Sequence, residues 1–269
     1  MIVDGKALAA QILAEVKDEV NRLLTPPKLT VFTCAPNFET QKFLAFKQKR
    51  AAEVGVRVDV VSLDPAMPTV EIIRLIEESL QTTDGVVVQL PFPPSIDIAA
   101  VLATVPPGHD VDALLYDGED TTILPPVVGA IDAIATHYKV VWAGTKVAVV
   151  GRGRLVGAPA AMYAASKGAQ VTVLDKDSDD KKHTIKEADV LILGAGVPGL
   201  VTSNMVKSGV IIFDAGTSEE GGMLVGDADD SVREVAAVVT PVPGGIGPIT
   251  IAILLKNVLQ LAKLNSKKQ

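Results

Sequence analysis

Apolar positions recur at three- and four-residue intervals from the start of the chain. Leu8, Ile12, Val16, Val20 and Leu23 fall on one face of a segment that stops before Pro26 and Pro27, which is the spacing of an amphipathic opening helix. The pattern then alternates. Lys28 to Thr33 reads as a strand, Glu39 to Glu53 as a helix closed by Gly55, Arg57 to Ser62 as a strand, Thr69 to Leu80 as a helix and Gly85 to Gln89 as a third strand. Parallel strands need crossover connections, so this alternation predicts a parallel sheet with helices on both faces. The stretch from Asp110 to Pro126 breaks the pattern, and after Val127 to Tyr138 a second alternation begins. Its strands are Lys146 to Val150, Gln170 to Leu174, Val190 to Gly194, Val210 to Phe213 and Ala237 to Thr240, enough for a second, doubly wound sheet. The last helix, Ile249 to Leu264, is expected to pack back on the first domain, ahead of a polar tail from Asn265 to Gln269. The expected fold is therefore α/β in two domains. An N-terminal catalytic domain takes residues 1–115 with 249–269, and a Rossmann-type doubly wound parallel-sheet domain takes residues 116–248.

Bulk composition narrows the function classes. The chain has 269 residues, 48% of them hydrophobic, which suits two buried cores. Lys and Arg number 25 against 32 for Asp and Glu, a net charge of -7. Such a surface is not built to neutralise phosphate backbones, and with 4% aromatic residues there are few platforms for stacking bases. Nucleic acid is not an expected partner. No run of about 18 apolar residues and no basic stretch before an apolar core is seen, so the expectation is a cytoplasmic protein without a membrane partner. Cys34 is the only cysteine and the three histidines are isolated, so neither a disulfide nor a metal is expected.

Two glycine-rich segments carry binding chemistry. Lys146 to Val150 runs into Gly151-Arg152-Gly153-Arg154-Leu155-Val156-Gly157 and then into an Ala-rich helix. Strand, glycine loop and helix stand in the order that lets a pyrophosphate sit at a helix N-terminus, with Gly151 for the turn, Gly153 for close approach and Gly157 for helix packing. The spacing is one residue longer than the common fingerprint. Asp175 lies 18 residues beyond Gly157, at the end of the second strand, where a carboxylate bonds a ribose 2′-hydroxyl. It favours NAD over NADP, whereas Arg152 and Lys176 could attract a 2′-phosphate. Gly194, Gly196 and Pro198 after one strand, and Gly216 after the next, are further expected contacts at carboxyl ends of strands. The second segment is Thr240-Pro241-Val242-Pro243-Gly244-Gly245-Ile246-Gly247-Pro248-Ile249-Thr250, with three glycines and three prolines in eleven residues. Proline stiffens the loop and glycine lets bare backbone approach a ligand. Pro243, Gly244, Gly245 and Pro248 are expected to line a substrate pocket and Thr250 to touch the cofactor.

In the first domain the candidates are fewer. Lys47 sits in a basic helix, where a lysine ordinarily faces solvent. Gln89 ends an apolar strand and opens Gln89-Leu90-Pro91-Phe92-Pro93-Pro94, so its amide stands at a rigid edge able to orient a ligand or a lysine. In Asp110-Val111-Asp112 the two carboxylates point opposite ways if extended, one toward a cleft and one toward solvent.

Together these residues resemble the methylenetetrahydrofolate dehydrogenase and cyclohydrolase family. The resemblance runs from Val3-Asp4-Gly5-Lys6 through Gln89 to Pro93, Asp110 to Asp112 and Gly151-Arg152 to the Thr240–Thr250 segment. It implies a homodimer that binds tetrahydrofolate derivatives in the first domain and NAD or NADP in the second. It also implies oxidation of 5,10-methylenetetrahydrofolate and hydrolysis of the methenyl product to 10-formyltetrahydrofolate. By the same resemblance Lys47 is the lysine required for hydrolysis, Gln89 its partner and Asp112 the carboxylate that holds the pterin, with Phe43, Leu90 and Pro91 beside the substrate. The chain departs from the family pattern at several points. Phe43 stands where a tyrosine is usual, Gly153 where a serine is usual, Asp175 and Lys176 where a His-Ser pair is usual, and Pro125-Pro126-Val127 where a threonine loop is usual. The changes at Gly153 and Asp175 point toward NAD. A dehydrogenase whose hydrolytic step has weakened through Phe43, and a nucleotide-binding regulator without turnover, are the alternatives.

Overall fold

The computed structural model describes residues 1–118 and 123–266, with backbone only at Phe38 and Glu39. The polar tail past Ser266 lies outside them. By compactness the chain divides into two units. Among the described residues, a three-stranded unit comprises Gln11–Leu115, residues 123–124 and residues 251–266, and a five-stranded unit comprises Met1–Ala10, residues 116–118 and Pro125–Thr250. The first ten residues therefore group with the second sheet rather than, as expected, with the first. The reason is backbone pairing: Val3 N-H donates to the Val239 carbonyl and Val239 N-H to that of Met1, each at 2.9 Å.

The three-stranded unit is a parallel sheet in the order β2-β1-β3 (β1 Lys28–Cys34, β2 Arg57–Leu63, β3 Gly85–Gln89). Side-chain alternation along β1 sorts its residues to two cores. Leu29 and Val31, with Val87 of β3, pack against Val16 and Val20 of α1 (Gly5–Val20) and Leu44, Ala51 and Val54 of α2 (Phe38–Val54). The same face receives Leu254, Leu255 and Val258 of the terminal helix, as expected from its apolar pattern. Phe32 and Cys34 point the other way, onto Ile72 and Ile76 of α3 (Thr69–Ser79) and Val101 of α4 (Ile98–Ala103), a short helix absent from the sequence reading. Asn37 caps α2 by accepting the Thr40 N-H, and Gly55 ends it in the left-handed region at φ 82°.

The five-stranded unit is a parallel sheet in the order β10-β7-β6-β4-β5. Its strands are β4 Lys146–Val150, β5 Gln170–Leu174, β6 Val190–Leu193, β7 Ile211–Asp214 and β10 Val238–Val239, crossed over by α6 (Gly157–Ser166) and α7 (Lys181–Glu187). A preceding helix, α5 (Pro126–His137), carries Pro126 in its first turn, where a missing N-H costs nothing. Between β7 and β10 a two-stranded antiparallel hairpin, β8 (Ser218–Glu220) and β9 (Met223–Val225), turns at Gly221 and Gly222, both at positive φ.

The terminal helix α8 runs from Ile246 to Ser266, beginning three residues earlier than the sequence indicates. Pro248 is compatible with this because it lies in the first turn, whose N-H groups have no intrahelical acceptor. Asn257 of α8, buried at 2% exposure, donates through Nδ2 to the carbonyls of Val111 and Leu124, both at 2.9 Å. Replacing it with leucine removes the donor from one buried and one part-buried carbonyl. Asn257→Leu is expected to lower stability by about 2 kcal/mol, read as a lower urea midpoint with an unchanged slope.

Candidate active site

Leu44, Ala51 and Val54 place one stripe of α2 against the sheet, and Lys47 lies on that stripe, three residues after Leu44 and four before Ala51. Its side chain is accordingly buried, with 6% exposure, contrary to the solvent-facing position usual for a helical lysine. The Nζ atom donates to Gln89 Oε1 at 2.9 Å and lies 4.8 Å from the centre of the Phe43 ring. Gln89 in turn donates through Nε2 to the Leu90 carbonyl at 3.3 Å, which fixes the amide with its oxygen toward the lysine. A cis bond joins Leu90 to Pro91.

Burial pushes the Lys47 amine below the usual lysine range, an effect that the nearby Asp112 carboxylate partly opposes. Burial likewise raises Asp112 above the usual carboxylate range, and Lys47 partly opposes that shift. Desolvation outweighs mutual attraction at both groups, so the environment favours an uncharged amine. The extended geometry expected of the Asp110–Asp112 pair, with one carboxylate toward solvent, is not what forms. The segment is a turn: Asp110 is buried at 5% exposure and accepts the N-H groups of Asp112 at 3.2 Å and Leu114 at 2.6 Å. Burial and the neighbouring Asp112 raise it to about 6. Asp110 thus shapes the turn, and Asp112 is left to face the lysine.

In the five-stranded unit the glycines separate into two kinds. At Gly157 an added Cβ would lie 2.1 Å from the Gly151 carbonyl oxygen, at Gly151 2.5 Å from that of Gly194, and at Gly194 2.5 Å from Val156 Cγ1. These three let the ends of β4 and β6 and the start of α6 close on one another. Gly153 and Gly196 have nothing within 4 Å in that direction. They leave open backbone beside a helix N-terminus, the surface a pyrophosphate needs, so the residues present fit a dinucleotide. Asp175 accepts Ser178 Oγ at 2.9 Å and the Asp177 N-H at 3.0 Å, and pairs with Arg152 Nε at 2.7 Å. The Ser178 hydrogen bond, helped by Arg152, holds its carboxyl below the usual range.

Two buried carboxylates order this unit: Asp214, in the Asp214–Thr217 stretch expected to contact a ligand, and Asp227, which the sequence did not single out. Asp227, fully buried, accepts the N-H groups of Ala195 at 2.6 Å, Gly196 at 3.2 Å and Val197 at 2.8 Å. Asp214, 2% exposed, accepts those of Gly216 at 2.9 Å, Asp227 at 3.2 Å and Ala228 at 2.8 Å. Burial raises Asp214 to about 6. Gly216, expected as a cofactor contact, is glycine for a different reason: a Cβ there would lie 2.2 Å from the Asp227 carboxylate. The glycines flanking these acids, Gly216 after Asp214 and Gly226 before Asp227, were the available signal.

The Pro/Gly segment starts at Thr240, whose Oγ1 accepts the Asp214 N-H at 2.6 Å. Val242–Pro243 is cis, and Gly244 sits at φ 106°. A Cβ on Gly5 would fall 1.9 Å from the Gly245 carbonyl oxygen, so the N-terminal Val3-Asp4-Gly5 stretch packs directly on this loop. Pro248 and Thr250 lie within the first turns of α8, and Thr250 Oγ1 donates back to the Ile246 carbonyl at 3.2 Å.

The doubly wound sheet with its glycine turn defines a dinucleotide-binding α/β protein that carries, in its other unit, a buried lysine. Comparisons with known proteins are more specific. The tetrahydrofolate dehydrogenase/cyclohydrolase catalytic domain matches residues 3–112 and the NAD(P)-binding domain of the same family matches residues 125–266. The bifunctional protein FolD of Exiguobacterium sibiricum is 36% identical over 98% of this chain and 99% of its own. Among solved structures, the bifunctional FolD dehydrogenase/cyclohydrolase of Campylobacter jejuni superposes with a TM-score of 0.95 at 32% identity, covering 98% of this chain and 99% of that one. The Trypanosoma brucei FolD enzyme, in complex with NADP and an inhibitor, gives 0.93 at 32% identity, covering 99% of this chain and 98% of that one. The chain belongs to the tetrahydrofolate dehydrogenase/cyclohydrolase family.

Because Asp112 is the influence that raises the lysine, Asp112→Asn is expected to move Lys47 further below the usual lysine range. Titration of the lysine Nζ by 15N NMR in both proteins checks the direction.

Proposed function

We propose that this protein oxidises 5,10-methylenetetrahydrofolate with a nicotinamide dinucleotide and hydrolyses the methenyl product to 10-formyltetrahydrofolate. The observation that carries the reading is the buried amine of Lys47, held by Gln89 and pushed toward its neutral form. Bound NAD(P) supplies the hydride acceptor for the first step. The chain's part in that step is placement, because hydride transfer needs no protein acid or base and is governed by how closely the reacting carbons are held. Asp112, Leu90 and Pro91 are read as substrate contacts.

Hydrolysis asks more of the side chains. Water adds to the methenyl carbon and releases one proton, after which the new hydroxyl loses its proton as the bond to N5 breaks and N5 gains one. One proton leaves overall. A neutral Lys47 accepts the first proton and passes it on, and being uncharged it does not repel the cationic substrate. Gln89 keeps the amine aimed, and the Phe43 ring face accommodates its charged form.

NAD is the favoured cofactor. Arg152, the nearest cation of the glycine turn, is already paired with Asp175, and a carboxylate kept ionised at that strand end repels a 2′-phosphate while accepting from a 2′-hydroxyl. A homodimer in the cytoplasm, without nucleic-acid or membrane partners, completes the reading and rests on the acidic charge and the family pattern.

The direct test is reduced-cofactor formation from 5,10-methylenetetrahydrofolate with NAD or NADP, alongside hydrolysis of methenyltetrahydrofolate without cofactor. Lys47→Met is expected to lower hydrolysis by on the order of 10²-fold or more while dehydrogenase activity persists. Loss of both in a folded variant would refute the lysine's role. In the wild type the hydrolysis rate should climb with pH through the lowered Lys47 titration and then level off. Asp175→Ser is expected to improve NADP use relative to NAD by roughly tenfold, the weight of one removed like-charge repulsion; an unchanged ratio of kcat/KM values would show that the ribose is read elsewhere.

A further inference from the structure

The loop after β6 presents three consecutive N-H groups, those of Ala195, Gly196 and Val197, to one point. Such a concave run of amides is an anion-binding arrangement. Here the anion is internal. The carboxylate of Asp227, thirty-odd residues further along the chain, takes all three donors, with Oδ2 accepting from Ala195 and Gly196 and Oδ1 from Val197. The residue is fully buried, yet Ala195, Gly196 and Val197 are themselves exposed. Their amides point inward to Asp227 while the rest of the loop faces outward.

Asp227 is itself held. Its own N-H donates to Asp214 Oδ1 at 3.2 Å, and the next N-H, that of Ala228, donates to Asp214 Oδ2 at 2.8 Å. Asp214 stands at the carboxyl end of β7, where its N-H is received by Thr240 Oγ1. Both neighbouring glycines are shaped by this stack, since a Cβ on Gly216 would strike Asp227 and one on Gly226 would lie 2.1 Å from Asp214 Oδ2. The ends of β6, β7 and β10 are thereby joined through two buried carboxylates. Ser218 Oγ adds a tie from the hairpin to the Gly196 carbonyl at 3.0 Å.

We propose that Asp227 is a positioning residue for the nicotinamide cofactor, an internal anion that pre-sets the Gly194–Val197 loop in its binding shape before the dinucleotide arrives. The loop lies at a strand carboxyl end beside the Gly151–Gly157 turn, with Gly194 packed on Val156 and Gly151 on Gly194, and Gly196 facing open space. A loop of this kind without a fixed partner has to be ordered during binding, and the cost appears as weaker affinity. The inference rests on the dehydrogenase reading above, and it concerns a residue of the five-stranded unit, whereas Lys47 belongs to the three-stranded one.

Asp227→Asn tests it, because asparagine keeps the volume but offers one acceptor oxygen and turns an amino group toward the loop amides. Binding of NAD and of NADP is measured by calorimetry on the whole protein, with cofactor-independent hydrolysis of methenyltetrahydrofolate as a second readout. The expected result is a dissociation constant raised by about tenfold or more for whichever dinucleotide the wild type binds, with hydrolysis unchanged. Unchanged affinity in a variant that still hydrolyses overturns the proposal alone. A wild type that binds neither dinucleotide overturns the dehydrogenase reading, and the proposal with it. Should the variant fail to fold, hydrogen exchange of the ligand-free wild type decides: slow exchange at Ala195, Gly196 and Val197 supports the brace, and exchange as fast as in an open loop refutes it.

Discussion

Keeping the Lys47 amine out of water is the demand around which the three-stranded unit is arranged. A buried cation is costly unless it is paired or loses its proton, and the chain meets the demand from three directions. Helix α2 carries the lysine on its apolar stripe, β3 ends at Gln89 to receive the amine, and the turn at Asp112 supplies a carboxylate in electrostatic reach. Asp110 shapes that turn from within, and Asn257 holds it through the Val111 carbonyl. The terminal helix, far away in sequence, is thus part of how the amine is placed.

The five-stranded unit solves a different problem with different means. A dinucleotide needs bare backbone and helix N-termini rather than side chains, so the loops that present them must be rigid without filling the space in front. Close glycine packing among Gly151, Gly157 and Gly194 supplies part of that rigidity and buried carboxylates supply the rest. An acid buried against several backbone N-H groups is bonded along two oxygens at once and so fixes a loop more firmly than a single neutral hydrogen bond.

Most of the architecture was legible in the hydrophobic pattern. Gly85–Gln89, Lys146–Val150 and Gln170–Leu174 are strands over the very residues their apolar runs indicate. The first two are nearly continuous buried runs with a glycine at one end, whereas Gln170–Leu174 alternates exposed and more buried positions up to Asp175. The hairpin of β8 and β9 has three-residue strands with little buried surface, so no periodicity could announce it. The start of α8 was hidden by its own Pro248. Lys47 shows how a default misleads: charge type suggested solvent, whereas the spacing to Leu44, Ala51 and Val54 put it on the inner face. Asp227 had only its neighbouring Gly226 as a local signal, because its three partners lie about thirty residues away and only the folded chain brings them together.

Phe43 shows why the two chemistries respond differently to change. A ring without a hydroxyl still offers its face to Lys47, 4.8 Å away, and that face stabilises the protonated amine slightly against the desolvation that favours the neutral one. What it does not offer is a hydrogen-bonding atom for water or for the amine. Hydride transfer is indifferent to that loss because it moves no proton. In the proposed hydrolysis protons move at one amine, whose neutral form is favoured by burial and opposed by Asp112. In this chain the removal of the hydroxyl leaves Gln89 as the hydrogen-bonding neighbour that orients the lysine, and the fold commits the end of β3 to holding that amide in place.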